Sequence, residues 1–143
     1  MPIESIGTPA SLLAAPRWIY TQIPVATLQG AGASVTGTFP VITLPAKAIV
    51  HATKVVAEVA LAGGAVSAAT IQVGIGGTIN QLFAAQSTFA LGTFTSVTNQ
   101  PKVYSESATQ AIIATSTLTS DNHVNLTVGS IGVYLLVSDL AHI

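Results

Sequence analysis

Three short stretches hold residue types that could do chemistry. Asp121 and His123 form a D-x-H pair whose spacing suits two ligands of one metal ion; a third ligand must come from His51, Glu58, Glu106 or His142, each isolated in sequence. A polar turn ahead of a strand explains the pair more simply, and no metal is assigned. Ser138, Asp139 and His142 in "SDLAHI" offer a nucleophile, an acid and a base. A hydrolytic triad is defined by geometry around a firmly held nucleophile, however, and these residues lie at the end of the chain. "VGIGGT" (Gly74, Gly76, Gly77) has the look of a dinucleotide loop. The third glycine of that spacing is missing and no acid follows within roughly twenty positions to hold a ribose, so the glycines read as turn or bulge residues. Five acids give no carboxylate pair in a glycosidase context. With no cysteine, thiolate metal sites, disulfides and a cysteine nucleophile are excluded. The expectation is a protein that is not an enzyme and has no cofactor.

Trp18 and Tyr20, in "RWIYTQI", carry a different kind of chemistry, that of contact. An aromatic beside an extended segment can anchor into a partner or sit in the core, and core is the favoured use of the Trp18 ring. The preceding residues are built for contact: Pro2, Pro9 and Pro16 keep Met1–Pro16 extended and poor in self-packing. Pro2, Ile3, Ile6, Pro9, Leu12, Leu13, Trp18 and Tyr20 are therefore the candidate partner contacts.

Composition explains why contact is the theme. Only 6% of the 143 residues are charged, against about 25% in an ordinary domain. Forty-three consecutive residues between Glu58 and Lys102 carry no charge, yet Gly, Thr, Ser, Gln and Asn break them well before a membrane-spanning run. Thirty Ser and Thr residues must supply the polar exterior. A net charge of −1 removes the basic footprint that nucleic acid demands and favours association with other protein. Neither nucleic acid nor membrane is an expected partner. The start, with Glu4 and no positive region, does not read as a secretory signal.

The elements that position these residues follow from periodicity. "RWIYTQI" alternates as a strand, and "LQGAGAS" is a loop by its glycines. "VTGTFPVITL" is a strand in which Pro40 demands an edge or a bulge. Residues 46–61 admit helix or strand; the β-branches of Val50, Val55, Val56 and Val59 favour strand, with Ile49, Val55, Val59 and Leu61 on one face and Lys54 with Glu58 on the other. "ATIQVGI" is expected to return as its hairpin partner across "AGGAVSA". Ile79, Leu82 and Phe83 at helical spacing behind Thr78 predict a short helix. "KVYSES" and "QAIIATSTL" are further strands. "HVNLTV" alternates with Val124, Leu126 and Val128 inward and His123, Asn125 and Thr127 outward. "IGVYLLV" places Ile131, Val133, Leu135 and Val137 on one face and Tyr134 and Leu136 on the other, a strand covered on both sides. The sum is a single all-β domain over residues 17–143, a jelly-roll-like β-sandwich or barrel with one short helix and an extended N-terminal arm over 1–16.

The stretch "LPAKAIVHATKVVAEVALAGG" through "ATIQVGIGGTINQLFAAQSTF", with "LTVGSIGVYLLVSD", resembles head decoration or cement proteins of tailed bacteriophages. The likeness is one of pattern: a long apolar strand, a Gly-rich hairpin, a "V-G-x-G" strand end and a closing "G-S-I-x-V" strand. It implies a virion protein on the capsid exterior, commonly a homotrimer, that clamps the major capsid protein and has no enzymatic activity. Two other classes fit the sequence: another phage component (tail, fibre or baseplate) and a carbohydrate-binding sandwich, the latter needing an exposed aromatic platform.

Overall fold

A computed structural model describes residues 16–76, 78–89, 91–95, 102–103 and 108–139. Nine strands are defined among them: β1 Arg17–Pro24, β2 Thr36–Leu44, β3 Ala48–Ala62, β4 Ala68–Ile75, β5 Thr78–Ser87, β6 Gly92–Thr95, β7 Lys102–Val103, β8 Gln110–Thr119 and β9 Val128–Asp139. One short helix, α1 Val25–Gln29, follows β1, and a 3-10 turn occupies His123–Asn125.

The first sheet runs β1-β9-β3-β6, with β7 also on β3, and the second runs β2-β8-β4-β5. Every pairing is antiparallel, and the partners nest: Arg17 faces Val137, Thr36 faces Thr117, Lys54 faces Thr95, Thr70 faces Ser87. The chain is thus one long ribbon doubled back at the β4–β5 turn and then rolled, so that successive segments fall in opposite sheets. That is the jelly roll, with β6 and β7 as two pieces of one edge strand along β3.

The inner faces of the two sheets form the core. Ile23, Val55, Leu61, Ile71, Val73, Ile112, Ile131, Val133 and Leu135 are at most 1% exposed. Each such side chain stabilises the fold by about 1.5–3 kcal/mol through burial. β9 lies in the middle of its sheet, between β1 and β3, which explains its apolar run: one face fills the core, and Tyr134 and Leu136 on the other are partly covered by neighbouring strands. Pro40 sits where predicted, on an edge strand beside a register shift between Pro40 and Ile42.

Several expectations are overturned. Residues 78–87 are strand β5 and not a helix: register shifts against β4 let adjacent Leu82 and Phe83 both point inward, which imitates helical spacing. The short helix is α1, one turn between Pro24 and Gly30, whose Leu28 is fully buried, so Leu28 and Gln29 belong to it and not to a loop. β3 and β4 are not a hairpin; they lie in different sheets. Within β3, shifts between Val50 and Ala52 and between Ala57 and Val59 change the phase of alternation. Val59 is therefore 45% exposed and Val50 buried, whereas Val55 and Leu61 point inward as expected. The "HVNLTV" alternation holds at buried Leu126 and at exposed Asn125 and Thr127 but fails at the other three positions: the turn buries His123 and leaves Val124 and Val128 about half exposed.

Candidate interaction surfaces

Alternation along β1 presents Trp18, Tyr20 and Gln22 on the outer face of the first sheet, where Tyr134 of β9 and Lys54 and Glu58 of β3 join them. Tyr20 donates its hydroxyl to both oxygens of Glu58, at 2.8 and 3.0 Å. Gln22 donates to Ser130 Oγ (3.0 Å) and, more weakly, to Glu58 (3.4 Å), while Ser130 donates to Glu58 at 3.1 Å. Gly132 is the floor of this arrangement: a Cβ there would lie 2.8 Å from the Tyr20 ring and 3.2 Å from the Glu58 carboxyl. Partial desolvation, then the hydrogen bond to Glu58 and the charge of that carboxylate, push the Tyr20 hydroxyl up to about 12. The Tyr20 and Tyr134 rings are 4.7 Å apart. The Lys54 ammonium stands 4.5 Å from the Tyr134 ring and 5.4 Å from the Trp18 ring. The result is a fixed surface in which Trp18 remains 51% and Tyr20 45% exposed. Trp18 is thus an exposed aromatic and not a core one. Pro2, Ile3, Ile6, Pro9, Leu12 and Leu13, and with them the arm, lie outside the described residues.

A second surface is the end of the sandwich where β1, β3, β5 and β8 finish. The connections 25–35, 63–67, 88–91 and 120–127 all cross between sheets there. Val35, Val59, Phe89, Leu91, Val124 and Val128 are exposed at this end, Leu91 by 70%. Its one charge among the described residues, Asp121, is engaged internally. The Asp121 carboxylate accepts from the backbone N–H of Ala65 (2.7 Å) and Asn122 (2.8 Å) and from Asn125 Nδ2 (2.6 Å), tying two crossover loops together. These bonds, the Ala65 one foremost, hold its pKa below the usual aspartate value. Sequence alternation missed this end, although the Asp, Asn and Asn of "DNHVN" are turn residues and signal a break in the strand.

The remaining candidates disperse. His123 turns away from Asp121 into the interior, where its Nδ1 meets the Ser34 carbonyl (2.8 Å) and its Nε2 meets Ser116 Oγ (3.0 Å). The D-x-H pair is therefore a loop clamp beside a core histidine. Ser138 lies 2.7 Å from His51 Nε2 across β9 and β3; His142 lies outside the described residues. A groove of about 460 Å³ by α1 is lined by Thr27, Ala31, Ser34, Thr36, Thr38 and Phe39, with no titratable side chain in it. No group of three metal-ligating side chains occurs among the described residues. Gly74 packs its bare Cα against the backbone of β5 and Gly76 lies in the β4–β5 turn, a structural use of these two glycines; Gly77 lies outside the described residues.

No family model matches the chain, and no curated protein matches it in sequence. Two solved structures share its fold. One is a chain of the cyanophage Pam1 capsid asymmetric unit, with a TM-score of 0.63, 19% identity, and 87% of this chain and 84% of that chain covered. The other is a chain of the capsid of Ralstonia phage GP4, with a TM-score of 0.59, 18% identity, and 89% and 86% covered. In both, nearly the whole rolled ribbon superposes, so the fold is one found in phage capsids.

Proposed function

We propose that this chain is a structural protein of a bacteriophage particle, a decoration or cement subunit on the outside of the major capsid lattice. The observation that carries the reading is the shared fold with chains of two phage capsids, over 87% and 89% of this chain and at similar chain length. The surface chemistry agrees. A protein interface is poor in charge and richer in apolar and aromatic side chains at its centre, which describes the loop end bearing Phe89, Leu91, Val124 and Val128. We assign that end to the capsid and the arm, residues 1–16 with Pro2, Ile3, Ile6, Pro9, Leu12 and Leu13, to clamping a neighbouring subunit.

The test is sedimentation of purified chain with capsids that lack it. Attachment is expected, and Leu91→Asp with Phe89→Asp, or deletion of residues 1–16, should reduce it at least tenfold. Full attachment by both altered proteins refutes the assignment. Labelled protein on tails or fibres and not on heads would favour another phage component. The carbohydrate reading has one observation in its favour, the half-exposed Trp18 and Tyr20 rings; binding on a glycan array that Trp18→Ala abolishes would support it.

A further inference from the structure

The four edges of the two sheets are not alike. Free strand edges invite pairing with other chains, and proteins blunt them with prolines, bulges, shortness or charge. β2 has Pro40 and a bulge. β5 has two register shifts against β4. On the outer side of β3 the described strands are short, β6 of four residues and β7 of two. β1 has none of these devices. It pairs with β9 through eight consecutive positions without a shift, has no proline before Pro24, and carries its one charge, Arg17, at its tip. Among the described residues, β9 lies on one side of β1 and no strand on the other.

We propose that this edge pairs with β1 of a second copy, antiparallel about a two-fold axis, joining two first sheets into one. Pro24 lacks a donor, so the usable edge is Arg17–Ile23, whose midpoint is Tyr20. Pairing centred there sets Tyr20 opposite Tyr20 of the second copy and Trp18 opposite its Gln22, all on the outer face. Ile19 meets the second Thr21 on the inner face, so side-chain alternation is kept on both. Arg17 faces Ile23 of the second copy, and no like charges meet. The contact gains roughly six to eight backbone hydrogen bonds over a strand of about 24 Å. It also covers the rings of Trp18 and Tyr20, which their own molecule leaves half exposed. A sequence with a net charge of −1 offers little repulsion to such a contact. The contact is isologous; it joins copies in pairs and so links one of the threefold clusters that the resemblance implies to another.

The natural absence of cysteine makes the test clean. Opposed residues of an antiparallel pair fall within disulfide reach, so Tyr20→Cys should cross-link on mild oxidation at least about tenfold more than Thr43→Cys on the guarded β2 edge. In sedimentation, one of Ile19→Pro and Tyr20→Pro, whichever N–H points outward, should dissociate the pair while circular dichroism stays native. A failure of Tyr20→Cys to cross-link, or a pair that survives both prolines, overturns the proposal, as does a monomer at about 100 µM, where even a micromolar contact is saturated. The pairing does not rest on capsid attachment. Cross-linking without attachment sinks the proposed function alone; attachment without cross-linking sinks this inference alone.

Discussion

Replacing His123 by Ala is the sharpest test of the described interior, because strand alternation and the structure make opposite statements about it. An outward-facing histidine on the surface changes stability by no more than about 0.5 kcal/mol when truncated. In the structure His123 is 0% exposed, both ring nitrogens are bonded, and the ring lies 6.0 Å from that of Phe39. Truncation removes two hydrogen bonds of about 1 kcal/mol each and strands the hydroxyl of Ser116, itself fully buried, at roughly 1–3 kcal/mol. Lost packing adds about 1 kcal/mol or more, so the sum is about 4–6 kcal/mol, a large share of the 5–15 kcal/mol of a whole domain. With a urea slope of about 2 kcal/mol per molar, the unfolding midpoint should fall by roughly 2–3 M. Ser116→Ala in the His123→Ala background should recover about 1 kcal/mol, since a polar group with nothing to bond is removed. A midpoint shift below about 0.3 M, within the surface-residue range, would refute the reasoning.

Acid should act through Asp121. Its pKa is depressed on folding, so its contribution is complete above the unfolded value near 3.8 and is lost as pH falls through the lower folded value. Asp121→Asn should accordingly be less stable than the parent at neutral pH, and the gap should close under strong acid; a gap that persists unchanged there counts against the clamp. Tyrosinate absorbance should show Tyr20 titrating near 12, and Glu58→Gln should lower that value; an unaltered curve would contradict the Tyr20–Glu58 bonds. Gly64 has φ +54, and a Cβ on it would strike the Asp121 carboxylate. Gly64→Ala should therefore cost about 1–3 kcal/mol in a melting experiment, whereas no loss would show the loop to be less tightly held than drawn.

Local pattern revealed strands where a single phase of alternation holds. β1, β8 and the Ile131–Val137 part of β9 keep one phase throughout, and Pro40 announced its own bulge. β3 does not keep phase, and its bulges moved Val50 inward and Val59 outward. Leu82 and Phe83 misled for the same reason. The pairing of Arg17 with Val137 leaves no mark in nearby sequence, so β4 was joined to the wrong partner although its strand character was plain. The shared face of Lys54 and Glu58 was legible, and so was the common side of Trp18 and Tyr20; the apolar end was not, because four loops far apart in sequence assemble it.

The position of β9 has a consequence for synthesis on the ribosome. The plank that β1 and β3 both need is among the last parts of this sequence to be made, so β1 must wait unpaired and β3 has only β6 and β7 beside it while the chain lengthens. The second sheet is complete once β8 has emerged, whereas the first closes in a single late step. Translation stalled just short of Val128 should therefore leave a nascent chain with half a sandwich, a sticky apolar inner surface, and a strong call on chaperones.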